Sequence, residues 1–141
     1  MARIYIAGCG GMLGDAFYKV FGAEYELKCT DIDVNEPWLS FIDFRDYELY
    51  RKDVLEFKPD YLFHLGAYTD LEYCELHPED TYMTNTLSVE NAVYIANELN
   101  IPLLYITTRY SQLWGMSMVI AKSPGRRMLR PSQSSTIRRA P

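Results

Sequence analysis

The feature that most constrains this chain is a set of glycines that directly follows a short apolar run near its start. Residues 3–7 are mostly apolar and predict a buried parallel strand, and residues 12–21 carry apolar side chains at helical spacing. Between them lie Gly8, Gly11 and Gly14, three residues apart. A strand that ends in such glycines and leads into a helix is typical of a backbone turn that approaches a pyrophosphate.

The alternation of strand and helix continues along the chain. Residues 35–41 are predicted to be a loop, and Asp46 is the predicted N-cap of the helix at residues 47–57. The further predicted elements are a strand at residues 25–30, a helix at 47–57, a strand at 61–67, a helix at 78–99 and a strand at 102–106. This order predicts an α/β fold with a Rossmann-type doubly wound parallel sheet of about four strands, followed by an irregular basic tail.

An acidic residue follows the second predicted strand at the position expected of a ribose-binding carboxylate. Asp31 comes 23 residues after Gly8, and no Arg or Lys follows it in the next loop to hold a 2′-phosphate. NAD is therefore favoured over NADP. Asp33 is a competing candidate, and a solvated loop acid is the alternative interpretation of Asp31.

Other polar residues have both a functional and a structural interpretation. Asp43 is a candidate acceptor for an adenine amino group or an ordinary acid before a helix. His64 is expected to be a hydrogen-bonded core residue and His77 a helix-start residue, and neither has a metal partner at ligand spacing, so no metal site is predicted. A solvated acidic face is expected from Asp70, Glu72 and Glu75.

Composition divides the chain in two. Residues 1–108 hold all 19 acidic residues and seven of the 14 basic ones, whereas residues 109–141 hold seven basic residues and no acidic one. We therefore predict a partial dinucleotide-binding domain at 1–108 and a flexible divergent tail at 109–141. The tail lacks aromatic interleaving, so nucleic-acid binding is not expected. Three unpaired cysteines and the lack of a long apolar run predict a cytoplasmic protein without membrane association.

The motifs together resemble the extended short-chain dehydrogenase/reductase superfamily, and within it the dTDP-4-dehydrorhamnose reductases, over residues 2–108. Besides the glycines and Asp31, the resemblance includes Thr69 and the segment Ile106-Thr107-Thr108. It implies that NAD or NADP is the cofactor. The positions at which it implies cofactor contacts are Gly8, Gly11, Met12, Leu13, Gly14, Asp31, Asp43, Phe44, Leu65, Gly66, Ala67 and Asn85.

The resemblance implies reduction of a nucleotide-linked 4-keto-6-deoxy sugar for polysaccharide biosynthesis. In that family a hydroxyl at the position of Thr108 or Thr107 holds the sugar's C4 oxygen, and a tyrosine transfers the proton. A lysine four residues later lowers the tyrosine's pKa, which is otherwise about 10. This chain departs from that pattern, because no Tyr-x-x-x-Lys occurs in it: Tyr105 is followed by Arg109 and Tyr110 by Trp114.

The missing pair predicts an inactive or incomplete fragment, with a truncation or an altered reading frame after Thr108. A sheet of about four strands would leave a strand edge and an apolar helix face uncovered, which predicts self-association or a homodimer. Two alternatives stay open. One is a non-catalytic dinucleotide-binding regulatory module, and the other is a sugar epimerase or dehydratase of the same superfamily.

Overall fold

The computed structural model describes residues 1–67, 71–108 and 116–121, which form a six-stranded sheet with helices on both faces. The spatial strand order is β3-β2-β1-β4-β5-β6; the first five strands are parallel, and β6 is antiparallel to β5. This confirms the predicted Rossmann-type α/β class. The strands are β1 (Arg3–Ala7), β2 (Glu26–Asp31), β3 (Leu39–Phe41), β4 (Tyr61–His64), β5 (Leu103–Thr108) and β6 (Met116–Ala121).

Strand register brings the carboxyl ends of the parallel strands to one edge of the sheet. Ala7 at the end of β1 pairs with Thr30 of β2 on one side and with His64 of β4 on the other. His64 in turn pairs with Tyr105 of β5. The chain runs outward from β1 through β2 to β3 and then crosses back to β4. The gap between β1 and β4 is therefore the point of strand-order reversal, where ligands bind in sheets of this class.

The helices form one layer on each face of the sheet. α1 covers one face, and α2 and α5 cover the other. Asp46 caps α2, since its carboxylate accepts a hydrogen bond of 3.3 Å from the Leu49 amide, as the sequence predicts. The helices are α1 (Met12–Phe21), α2 (Tyr47–Phe57), α3 (Leu71–Leu76), α4 (Pro78–Tyr82) and α5 (Ser88–Leu99), with a π-helical turn at Met83–Leu87 between α4 and α5.

Two hydrophobic clusters hold these layers to the sheet. On the α2 and α5 face, Tyr5 and Leu62 are fully buried against Val54 and Ile95. On the α1 face the buried residues are Ile4, Ile6, Cys9, Cys29 and Leu39, with Phe17 and Phe21 packed against them. Because both faces are buried, the central strands are continuous apolar runs, which explains why they could be located in the sequence.

Two strands lie where the sequence predicts none. β3 falls in the predicted loop at 35–41; its three residues pair with β2, and Leu39 is buried, but so short a strand has no readable periodicity. β6 falls in the predicted irregular tail, and that prediction is wrong for Met116–Ala121. The six residues of β6 pair with β5, whose outer edge would otherwise present unpaired backbone groups. The rest of the tail lies outside the described residues.

The long helix predicted at 78–99 is present but interrupted by the π-helical turn, and α3 is an additional short helix that the sequence analysis did not predict. None of the helices within the described ranges is long and apolar enough to span a membrane.

Candidate functional site

Two glycines set the shape of the turn that follows β1. Gly8 has a φ of +80°, and a Cβ added there would lie 2.2 Å from the backbone nitrogen of Gly66, so only glycine fits. A Cβ on Gly14 would lie 2.2 Å from the carbonyl oxygen of Cys9, which shows how closely α1 packs against the turn. The amides of Gly8 and Cys9 both donate to the carbonyl of Thr30, which ties the turn to β2.

Gly11, the middle glycine of the pattern, borders open space. Nothing lies within 4 Å of a Cβ placed on Gly11, and no side chain caps the amino end of α1. The first-turn amides, which include those of Met12 and Leu13, have no acceptor within the helix, and the helix dipole adds partial positive charge there. Backbone donors beside open space fit a pyrophosphate group.

A cavity of about 250 Å³ lies over this helix end. Asp15 lines it, but its carboxylate is paired with Lys19 at 2.8 Å, which offsets its charge. Trp38 also lines the cavity, and its ring stacks on that of Tyr18 with 4.0 Å between the ring centroids. The other lining residues are Cys9, Gly10, Gly11, Met12, Asn35 and Glu36.

Asp31 is held by the backbone at the end of β2, directly beside the glycine turn. Its Oδ2 accepts from the Gly10 amide at 2.8 Å, and its Oδ1 accepts from the amides of Ile32 and Asp33 at 2.7 and 3.2 Å. An ionised carboxylate has about four acceptor positions. The three amides leave one position on Oδ2 for a ligand hydroxyl, whereas the competing Asp33 has an exposed side chain.

Asp43 lies in an ion-pair network rather than alone. Arg45 donates to both of its carboxylate oxygens at 3.0 Å and to Asp80 at 2.6 Å, and Tyr73 donates to Asp80 at 2.6 Å. The hydrogen bonds from Arg45 hold the pKa of Asp43 below its usual range. The structure thus gives Asp43 a structural role, and the predicted adenine contact stays a prediction.

The segment after β4 approaches the glycine turn from the other side. The amide of Leu65 donates to the carbonyl of Ala7 at 2.8 Å. Phe44 is buried so close to Gly66 that a Cβ on this glycine would lie 2.3 Å from its ring. Ala67 follows and is exposed at the sheet edge. The candidate residues on both sides of the β1–β4 gap are therefore in contact.

The remaining predicted residues are more widely placed. Asn85 lies in the π-helical turn, a feature that is frequent at functional sites. Thr107 and Thr108 end β5 at the same sheet edge, but their side chains are outside the described part. Thr69 and Asp70 also lie outside the described residues. The two other acids of the predicted solvated face are exposed, namely Glu72 and Glu75.

Both histidines have the structural positions that the sequence predicts. His77 is exposed and immediately precedes the first residue of α4. His64 is fully buried, with its imidazole hydrogen-bonded to Tyr50 and Ser88. Burial lowers the pKa of His64 to about 4, so the ring is neutral at pH 7.

Two residues that shape the candidate site, Gly10 and Asn35, were not predicted from the sequence. The three-residue glycine spacing does not include Gly10, yet a Cβ on Gly10 would lie 2.9 Å from Oδ2 of Asp31. The side-chain amide of Asn35 donates to the carbonyl of Gly10 at 3.3 Å. These contacts join residues more than 20 positions apart, so local patterns carry no signal for them.

Comparison with known proteins places this geometry in a family. Residues 2–111 match the family described as the RmlD substrate binding domain. A curated dTDP-4-dehydrorhamnose reductase from Aggregatibacter actinomycetemcomitans is 27% identical over 115 residues, which are 78% of this chain and 36% of that protein. The chain thus spans about a third of the length of this relative.

Solved structures share the fold at lower identity. An L-threonine dehydrogenase from Clostridium difficile superposes with a TM-score of 0.68 at 21% identity, covering 74% of this chain and 36% of its own. A dTDP-4-dehydrorhamnose reductase from Bacillus anthracis in complex with NADP superposes with a TM-score of 0.62 at 21% identity. The superposition covers 73% of this chain and 35% of the reductase chain. The predicted resemblance to the extended short-chain dehydrogenase/reductase superfamily is confirmed, and the chain belongs to the RmlD substrate-binding-domain family.

Proposed function

We propose that this chain binds an NAD-type dinucleotide, with the pyrophosphate over the amino end of α1 and the adenosine ribose at Asp31. The observation that carries the proposal is the 2.8 Å hydrogen bond from the Gly10 amide to Oδ2 of Asp31. This bond joins the candidate ribose acceptor to the candidate pyrophosphate turn. The open space beside Gly11 leaves room for the phosphates.

The charges near Asp31 support NAD over NADP. Asp33 and Glu36 follow it closely, and residues 31–44 contain no Arg or Lys. A 2′-phosphate placed beside these carboxylates would be repelled, whereas a 2′-hydroxyl donates a hydrogen bond to Asp31.

For the longer reductases of the family, we infer that the same site serves the reduction of a nucleotide-linked 4-keto-6-deoxy sugar in polysaccharide biosynthesis. A bound nicotinamide would supply the hydride. In this chain, Thr107 or Thr108 would hold the C4 oxygen of the sugar, since both end β5 at the sheet edge. No lysine lies four residues after any tyrosine, so the chain lacks the family's means of lowering a tyrosine pKa.

We therefore propose that the 141-residue chain binds the dinucleotide but does not turn over a keto sugar. The missing Tyr-x-x-x-Lys also favours a second candidate, a non-catalytic dinucleotide-binding module that acts on a partner enzyme. The rate of NADH oxidation in the presence of a dTDP-4-keto-6-deoxy sugar tests whether the chain turns over this substrate. We expect no rate above that of buffer. A rate abolished by Gly11→Asp would contradict this expectation.

The cellular setting is part of the same proposal. Three free cysteines, of which Cys9 and Cys29 are buried, support a location in the reducing cytoplasm.

We expect self-association to be measurable by sedimentation, since Val20, Leu76 and Tyr94 are large apolar side chains exposed on the helices.

Isothermal calorimetry with NADH and NADPH tests the binding proposal. Asp31→Asn should weaken NADH binding by about tenfold, because a hydrogen bond to a charged group contributes about 1.5 kcal/mol. Asp33→Asn is the matched control, because Asp33 lies two residues after Asp31 and removing its carboxylate is the same chemical change, and it should change the affinity less than twofold. The opposite order would assign the ribose to Asp33, and binding of neither nucleotide would contradict the proposal.

A further inference from the structure

A chain of buried hydrogen bonds joins α2, β4 and the π-helical turn. The hydroxyl of Tyr50 lies 3.0 Å from Nδ1 of His64, and Nε2 of His64 lies 3.1 Å from Oγ of Ser88. The hydroxyl of Ser88 donates to the backbone carbonyl of Thr84. All four residues are buried. A polar chain in such a place is stabilising only if each donor meets an acceptor.

Counting protons fixes the direction of every bond in this chain. Ser88 has one hydroxyl proton and gives it to the carbonyl of Thr84, so Oγ accepts from His64. Nε2 of His64 therefore carries the proton of the neutral ring, and Nδ1 accepts from Tyr50. Burial raises the pKa of Tyr50 and keeps this phenol a donor. Every donor in this hydrogen-bond chain therefore meets an acceptor when His64 is in the tautomer protonated at Nε2.

The hydroxyl of Ser88 donates to a carbonyl that the backbone amide of Ser88 does not bond at the π-helical turn. The amide of Ser88 donates five residues back to the carbonyl of Met83. In an α-helix it would donate four residues back, to the carbonyl of Thr84. The Ser88 side chain bonds that carbonyl instead, which holds the local geometry of the π-helical turn.

We propose that His64 is a positioning residue that, through Ser88, holds the π-helical turn carrying Asn85 in place at the dinucleotide site. His64 is suited to this because it is the last residue of β4 and directly precedes Leu65, which is bonded to the end of β1. It thus ties the strand end and the helical turn together. The inference rests on the proposed dinucleotide function, since the affinity for that ligand is one of its two consequences.

Two substitutions at position 64 separate positioning from general stability. The amide of glutamine reaches about as far as Nε2, so His64→Gln keeps a donor for Ser88. The amide of asparagine reaches about as far as Nδ1, so His64→Asn keeps an acceptor for Tyr50 and loses the bond to Ser88. Both variants are uncharged and smaller than histidine. Val54→Ala, in the same core but outside the hydrogen-bond chain, controls for lost packing.

Hydrogen exchange of the full chain without ligand is the first measurement. In His64→Asn, we expect exchange of the backbone amides at residues 84–89 to rise about fivefold over wild type, the effect of one net hydrogen bond. In His64→Gln the rise should stay below twofold. Val54→Ala should raise exchange across the sheet and not selectively at the turn. Equal local exchange in the two His64 variants would overturn the proposal.

NADH affinity by calorimetry is the second measurement. We expect His64→Asn to weaken binding about fivefold and His64→Gln to restore most of the wild-type affinity. Ser88→Ala, which removes the bond to Thr84 itself, should resemble His64→Asn and replaces it if that variant does not fold. If wild type binds no NADH, the proposed function fails, whereas the exchange data still decide whether His64 holds the turn. Unchanged exchange with normal NADH binding would overturn the positioning role alone.

Discussion

Lowering the pH from 7 to 5 is expected to destabilise the folded chain through the imidazole of His64. The ring is fully buried, and burial lowers its pKa from 6.5 to about 4. Below pH 6.5 the unfolded chain therefore takes up a proton that the folded chain does not. Because the unfolded state then binds more protons, the free energy of unfolding falls as the pH falls.

The magnitude follows from the two pKa values. A gap of roughly 2.5 pKa units, at about 1.4 kcal/mol for each unit, gives about 3 kcal/mol once the pH is below 4. Between pH 7 and pH 5 the expected loss is about 2 kcal/mol. Above about pH 7.5 the ring is almost entirely neutral in both states and contributes little pH dependence.

Urea denaturation of wild type and His64→Gln at both pH values measures this loss. The ionised forms of Asp43 and Glu98 are also favoured in the folded state, by Arg45 and Arg51, so their stabilisation is lost as the pH falls. That loss begins near their unfolded pKa values of about 4, and it is common to both proteins. Wild type should lose about 2 kcal/mol more than His64→Gln between pH 7 and 5. Equal losses would refute the reasoning.

Two further predictions concern packing and thiol access. Gly14→Ala should lower the free energy of unfolding by about 1–3 kcal/mol, because the new methyl group would meet the backbone of Cys9. Gly11→Ala should leave the free energy of unfolding nearly unchanged, because nothing lies close to that position. Urea denaturation of both variants measures the difference. A thiol reagent such as Ellman's reagent should titrate only Cys74 in the folded chain, and Cys9 and Cys29 only after denaturation, since both are buried. Rapid titration of three thiols in the folded chain would contradict the packing around β1.

Much of the fold was predictable because the signals are local. The extent of β1 and α1 follows from an apolar run, three glycines and a helical repeat, and the structure has both elements at the predicted residues. β3 was missed because three residues show no period, and its position depends on pairing with β2. β6 depends in the same way on the free edge of β5. Pairing between strands is a property of the assembled sheet.

The backbone geometry of the candidate site was predictable where spacing along the chain reflects close packing. Gly8 and Gly14 are required by close contacts with Gly66 and Cys9, as the strand–turn–helix pattern suggests. The wider ion-pair network of Asp43 was not predictable, because its neighbour Arg45 also donates to Asp80 of α4, which lies 35 residues further along the chain. The same holds for the bonds of His64, whose partners lie 14 and 24 residues away.

Calorimetric titration of the chain with NADH tests the central claim, that the glycine turn and Asp31 form a dinucleotide site. Wild type should bind one NADH per chain and bind it more tightly than NADPH. Gly11→Asp should fold with an unchanged circular dichroism spectrum but bind no NADH, because the added carboxylate would occupy the open space over α1. Absence of NADH binding by the folded wild-type chain, or equal binding by wild type and Gly11→Asp, would contradict the claim.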